Sequence, residues 1–439
     1  MQTNLADFIR HTPQGREAEA ILRKCVHCGF CTATCPTYQL LGDELDGPRG
    51  RIYLVKQMLE GGSYTVKTRT HLDRCLTCRS CETTCPSGVE YHRLIDIGRA
   101  IAEEKLPRSA GQRLLRFVLR EFLPRRWLFT PAMRLGQLFR PLLPAALKAK
   151  VPPRQKSAPV IRRNHPRRML TLAGCVQPAM APNINDAAAR VLDRLGIALI
   201  EVKGAGCCGA VRYHLHDQEA ALDEARRNID AWWPQIEAGA EAVVITASGC
   251  GAHVREYGYL LQHDARYAAK AARISLLTRD IAEAVAGEKD ALLTLLNNPL
   301  SPGIGGEGRG EGAGIRSAPH PNPLPAGGER VRKRIAFHAP CSLQHGMQVQ
   351  GVTEEILQAA GCDLTPVADG HLCCGSAGTY SILQSEISLK LRANKLTALH
   401  AGTPEGIVSA NIGCIAHLQE GTPTPVSHWI ELLDQRLGT

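Results

Sequence analysis

Eight cysteines near the start of this 439-residue chain constrain it more than any other feature. They fall in two copies of one spacing. The first copy reads Cys25-x-x-Cys28-x-x-Cys31-x-x-x-Cys35-Pro36, and the second reads Cys75-x-x-Cys78-x-x-Cys81-x-x-x-Cys85-Pro86. Three cysteines at i, i+3 and i+6 wrap a tight loop around one centre. The fourth begins the departing segment and points at a neighbouring centre, and the proline ends the loop. Seventeen cysteines in all is an odd number, which argues against a disulfide framework. Met1–Gln14 is polar and mixed in charge, with no apolar core of a signal peptide. No stretch approaches the roughly 20 apolar residues of a membrane span. The chain therefore reads as cytoplasmic, or as peripheral on the cytoplasmic face of the inner membrane. Cysteine-rich chains in that compartment bind metal or do thiol chemistry.

The spacing is that of the bacterial ferredoxin run, in which the fourth cysteine ligates the other cluster. It predicts two [4Fe–4S] clusters. The first takes Cys25, Cys28, Cys31 and Cys85; the second takes Cys75, Cys78, Cys81 and Cys35. Structural zinc is the competing use of paired C-x-x-C motifs. A zinc ribbon needs four thiolates in all, however, which leaves the third cysteine of each run surplus. His27 and Arg74 lie beside the cysteines and are either tuning groups for the cluster potentials or solvated loop residues.

Composition divides the rest of the chain. Residues 1–107 carry the eight cysteines among helical patterns and form the ferredoxin-type domain. Residues 108–168 hold sixteen Lys and Arg against one acid, Glu121, so this segment alone exceeds the net charge of +10. Apolar residues at helical spacing (Leu114, Leu115, Val118, Leu119, Phe122), broken by prolines, make it a basic helical linker. Its arginines (Arg113, Arg116, Arg120, Arg125, Arg126), with Trp127 and Phe129, suit anionic lipid or a partner surface, or else a solvated helix packed on its own domain. Nucleic acid is excluded as a partner, because no recognisable nucleic-acid module accompanies the charge.

Residues 169–296 and 331–439 repeat one pattern. Cys175, Cys207 and Cys208 of the first half match Cys341, Cys373 and Cys374 of the second at one constant offset, and Cys250 matches Cys414 at nearly the same offset. Each half reads as a strand ending in Cys (Met169–Cys175; Arg334–Cys341), a helix, a short strand and Cys-Cys-Gly. A helix and a strand ending in Gly-Cys follow (Ala242–Cys250; Gly406–Cys414). The predicted class is α+β and multidomain: a helical ferredoxin-like domain, then a duplicated α/β domain with pseudo-twofold symmetry. Ligands of open α/β sheets bind beyond the carboxyl ends of strands. Cys175, Cys207, Cys208 and Cys250 should thus converge on one site, and Cys341, Cys373, Cys374 and Cys414 on a second. Gly209 and Gly375 would let the backbone turn close to a metal or cluster. Cys362, without a counterpart, reads as an ordinary buried thiol. Between the halves, residues 297–330 are dominated by Gly, Pro and charge and read as a disordered insertion. A G-x-G-x-x-G match there (Gly303, Gly305, Gly308) has no strand before it and no helix after it, so it is no nucleotide site.

The repeated C-x31-C-C-G pattern is similar to the cysteine-rich CCG domain of the heterodisulfide reductase family, where the later cysteine belongs to a C-x-x-C. Here the two halves read Cys250-Gly-Ala-His253 and Cys414-Ile-Ala-His417. Four thiolates per half remain, with His253 or His417 as a fifth candidate ligand, for a further iron–sulfur cluster or another metal. The alternative is a thiol-only docking domain. The order of parts resembles the iron–sulfur subunits of glycolate oxidase (glycolate dehydrogenase). Three stretches carry the resemblance: Cys25-Val-His-Cys-Gly-Phe-Cys-Thr-Ala-Thr-Cys-Pro36, Gly42-Asp-Glu-Leu-Asp-Gly-Pro-Arg-Gly-Arg51 and His371-Leu-Cys-Cys-Gly-Ser-Ala-Gly-Thr-Tyr380. It implies an oxidoreductase complex in which FAD-binding dehydrogenase subunits oxidise glycolate to glyoxylate. This chain would relay electrons towards a quinone or other membrane acceptor, with no FAD or NAD of its own and no catalytic residue. The same architecture serves lactate or glycerol-3-phosphate dehydrogenases, and a heterodisulfide-reductase-like thiol/disulfide role is a further alternative.

Overall fold

The computed structural model describes residues 1–155, 158–160, 163–297 and 333–438. The Gly/Pro-rich stretch from residue 298 onward, with Gly303, Gly305 and Gly308, lies outside the described residues.

The segment from Met1 to Pro107 is helical. Thr12 caps the helix Pro13–Lys24 by accepting from the Gly15 N–H at 3.0 Å, and Pro13 fills the first helical position, where no N–H is needed. This helix packs with Pro48–Leu59 and Tyr91–Lys105, burying Ile21, Leu22, Val55, Met58, Leu94 and Ile95 in one core. Each such side chain contributes roughly 1.5–3 kcal/mol on burial. The two cysteine runs leave the ends of helices, Cys25 after Pro13–Lys24 and Cys75 after Val66–Asp73.

The basic segment is helical. It forms the helices Ala110–Phe122, Arg126–Leu138 and Ala145–Lys150. The first two bury only Leu119 and Phe129, and an edge-on contact between Phe122 and Phe129 joins them at 5.7 Å. Leu114, Leu115, Phe117, Val118, Trp127, Leu135 and Leu138 are all exposed. Among the described residues, no helix is long and apolar enough to cross a membrane.

The duplicated part contains two four-stranded parallel sheets. The first comprises β1 (Arg167–Thr171), β2 (Ile197–Glu201), β3 (Val243–Ile245) and β4 (Thr278–Asp280) in the order β2-β1-β3-β4. The second comprises β5 (Arg334–His338), β6 (Asp363–Leu364), β7 (Gly406–Ser409) and β8 (Val426–His428) in the order β6-β5-β7-β8. The order reverses beside β1 and β5, which opens a crevice at their carboxyl ends. One core runs through both repeats, with Ile184, Val191 and Val244 from the first and Ile335, Val408 and Trp429 from the second. Hydrogen bonds from the Ser248 N–H to the Ala410 carbonyl (3.1 Å) and from His428 Nε2 to the Thr246 carbonyl (2.9 Å) join them.

Three details differ from the sequence reading. β1 and β5 stop at Thr171 and His338, so Cys175 lies in the loop beyond β1 and Cys341 caps the short helix Ser342–Gly346 beyond β5. Cys250 and Cys414 do not end strands; they lie early in the helices Ser248–Arg255 and Ile412–Gln419. β4 and β8 are additions to the expected pattern, because three residues are too few to show a period of two. Cys362 is buried in the shared core.

Candidate metal centres

The two N-terminal cysteine runs fold alike. His27 and Gly29 take φ angles of 57° and 88°, and Thr77 and Arg79, at the same places in the second run, take 53° and 62°. Two left-handed residues curl each loop back on itself. The second loop borders a cavity lined by Cys75, Cys78 and Cys81, and by Cys35 from the first run. The first loop borders a cavity lined by Cys25, Cys28 and Cys31, and by Cys85 from the second run. The fourth cysteines therefore cross between cavities. Cys81, Pro48 and Tyr91 line both, so the cavities share a wall. Pro36 does more than end a loop: it opens the helix Pro36–Leu41, with Cys35 as the preceding residue.

The chemistry of these walls suits a metal cluster. None of the cysteines is joined to another in a disulfide. Burial pushes Cys31 up to about 11 and raises Cys78 and Cys81 well above the usual thiol range. Thiols so buried stay protonated at neutral pH unless a metal displaces the proton. The cavities differ in access. Cys28 is exposed, flanked by exposed Val26 and Phe30, whereas Cys35, Cys75 and Cys81 are buried.

A buried ion pair beside the second cavity escaped the sequence reading. Arg51 lines that cavity and is 1% exposed; Asp46, 3.4 Å away, is 0% exposed. Arg51 also donates to the His71 carbonyl at 2.7 Å and to Thr37 Oγ1 at 3.1 Å. Asp46 further accepts from Arg74 at 2.7 Å and pairs with His71 Nδ1 at 3.0 Å. Arg74 is thus an ion-pair partner of a buried carboxylate. His27 has a buried Nε2 without a partner, and burial, then Arg49, lowers its pKa.

In each repeat the four predicted cysteines are gathered beyond the strands. Cys175 neighbours Cys207, which neighbours Cys208, which neighbours Cys250. Likewise Cys341 Sγ is 3.7 Å from Cys373 Sγ, and Cys374 adjoins both Cys373 and Cys414. Both Cys-Cys-Gly turns place the glycine N–H 3.4 Å from the first sulfur, Gly209 to Cys207 and Gly375 to Cys373. The glycines have φ of 96° and 90°. What they approach closely are the helices Gln218–Glu237 and Ser385–His400, since a Cβ would stand 2.9 Å from the Ala221 carbonyl oxygen and 2.6 Å from that of Ser388. His253 and His417 back these turns. His417 Nε2 meets Ser388 Oγ at 3.2 Å, and His253 Nε2 lies 3.3 Å from the Cβ position of Gly209. A histidine that the sequence reading passed over, His338 at the end of β5, brings its imidazole within 4.8 Å of the sulfurs of Cys374 and Cys414.

The repeats meet the N-terminal domain differently. Leu76, Tyr380, Ile387, Leu391 and Cys373 form an apolar cluster with Cys78 and Cys341 packed against it, so the second cavity abuts the cysteines of the second repeat. The Tyr380 hydroxyl donates to the Arg74 carbonyl at 2.9 Å. The first repeat makes a polar contact: Glu256 pairs with Arg79 at 2.9 Å, and Arg93 lies 3.9 Å over the Tyr259 ring.

Residues 21–89 match the 4Fe-4S dicluster domain, and residues 169–255 and 335–419 match the cysteine-rich (CCG) domain. The chain is 51% identical, over its whole length and 99% of the relative's, to the glycolate oxidase iron-sulfur subunit of Escherichia coli. It is 28% identical to the probable glycolate oxidase iron-sulfur subunit of Bacillus subtilis, over 92% of this chain and 90% of that one. A more distant relative, lactate utilization protein A of Bacillus velezensis, is 25% identical over 60% of this chain and 97% of its own length.

Proposed function

Since the chain belongs to the family of glycolate oxidase iron–sulfur subunits, we propose that it relays electrons within a glycolate-oxidising complex, from a flavoprotein partner to a quinone. Cys25, Cys28, Cys31 and Cys85 would hold one [4Fe–4S] cluster, and Cys75, Cys78, Cys81 and Cys35 the other. Each cluster, when bound, takes up and gives back a single electron, so a pair matches a two-electron donor. The observation that carries this reading is the crossing of Cys35 and Cys85 into opposite cavities with a common wall. The exposed rim of Val26, Cys28 and Phe30 is the side on which the partner would dock. Arg51, Tyr91 and Leu76, all buried, line the inner cavity.

Oxidation of glycolate to glyoxylate belongs, in this proposal, to FAD-binding partner subunits. This chain carries neither FAD nor NAD and does no substrate chemistry. The protein works on the cytoplasmic side of the inner membrane, where the exposed Trp127, Leu135 and Leu138, among the surrounding arginines, would rest on anionic lipid. The test is reduction of a quinone analogue by the complex assembled from this chain and its co-purifying flavoprotein. Glycolate should support turnover at a rate at least tenfold above lactate. Turnover with lactate or glycerol 3-phosphate but not glycolate would overturn the assignment.

A further inference from the structure

Resting on that relay reading, we propose that the two repeats are not equivalent: the second alone holds an iron centre, with His338 as a ligand beside Cys374 and Cys414. His338 is 2% exposed, and its Nε2 has no hydrogen-bond partner. A buried imidazole nitrogen left unpaired asks for an explanation. Here the ring comes within 4.8 Å of two thiols that are themselves buried, and Cys373 and Cys341 continue the set. Soft sulfur donors joined by an imidazole select iron or zinc rather than harder cations. Iron is favoured by position, because Cys78 of the inner N-terminal cavity packs against Cys341 and Cys373. A centre placed there adjoins a redox path and would gain from changing charge.

Charge also separates the repeats. Lys395 is 3% exposed, donates to the Asp369 carbonyl at 2.7 Å and lies near Cys374, Cys373 and Cys341. A buried ammonium there offsets the negative charge of bound thiolates. In the first repeat, the offset that relates Cys175 to Cys341 puts Leu172 in the place of His338 and Ile229 in the place of Lys395, both buried and apolar. The charged group beside Cys207 is instead Glu224, a carboxylate paired with Arg212 at 3.0 Å. The first repeat has four thiols and a buried, unpaired imidazole at His253, but among the described residues that ring joins no group of cysteines like the one around His338, and the place of Lys395 holds no cation.

The test uses the full chain purified without oxygen, with iron, zinc and acid-labile sulfide counted per chain and pulsed EPR recorded on the reduced protein. Wild type should carry more than the about eight irons of the N-terminal sites and show nitrogen coupling from a bound imidazole. His338→Leu, which copies the first repeat, and Cys414→Ser should each fall to about eight irons and keep the N-terminal signals. His338→Cys should keep the extra iron and lose the nitrogen coupling. Cys250→Ser, the equivalent change in the first repeat, should leave the count unaltered. Iron unchanged in both Cys414→Ser and His338→Leu, equal loss in Cys250→Ser, or zinc in place of iron at the second repeat overturns the proposal. A chain with no iron at all would sink the relay reading instead.

Discussion

Arg51 places a full positive charge in the dry wall of the inner cavity, and Asp46 and the His71 carbonyl fix its direction. A cluster gains negative charge when reduced, so a nearby cation favours the reduced form. Replacing the guanidinium by an apolar chain should therefore lower the potential of the inner cluster. In Arg51→Met, where Asp46 keeps its pairing with Arg74 and His71, EPR-monitored titration should show a drop of roughly 60 mV or more, a tenfold change for one electron. An unchanged midpoint would assign the pair to packing alone. The cysteines are legible at this scale because cluster ligation is written in local spacing. Arg51 and His338 are not, because nothing close to either in sequence marks it as buried or says what it faces. His338 also has no repeat partner, and a reading built on matched positions passes over the unmatched one.

At the scale of elements, the helix Tyr91–Lys105 docks on the first repeat through His92, which lies 2.8 Å from Glu82 and 3.7 Å from Glu256. Burial opposes the charge on His92, but Glu256 and Glu82 outweigh it and push its pKa up to about 9. The folded value exceeds that of a free histidine. The bound proton thus stabilises the fold fully below about pH 6.5, and that contribution is lost as pH rises through about 9. It amounts to roughly 1–3 kcal/mol. The melting temperature of wild type should decline between pH 7 and 9.5, and His92→Gln should flatten that decline. Equal slopes in the two proteins would remove His92 from the account. The sheets are legible because β3, β7 and the Met169–Leu170 and Ile335–Phe337 parts of β1 and β5 are apolar runs of the kind a parallel strand buried on both faces requires. Their ends are not, since the Gly-Cys at 249–250 and at 413–414 begins a helix in space but continues a small, apolar stretch in sequence. The basic helices look like a linker because their apolar face, Leu114 to Leu138, is left largely exposed by the rest of the described chain.

For the whole molecule, the order of parts is readable from end to end, but their arrangement is not. Leu76 and Tyr380 meet from distant parts of the chain, and no local pattern foretells which repeat will lie against the inner cavity. The structure gives the second repeat that place, through an apolar contact, and leaves the first repeat on a polar one. The duplication therefore yields two similar sheets in unequal surroundings. On this account the chain is a one-directional path, open at Cys28, passing inward by Cys81, and leading to Cys341. The most direct test is EPR of the assembled complex, frozen after glycolate is added without an acceptor. The account predicts reduced [4Fe–4S] signals from this chain, with the inner signal missing in Cys35→Ser. A reduced flavin accompanied by no iron–sulfur signal, while quinone reduction still proceeds, would contradict it.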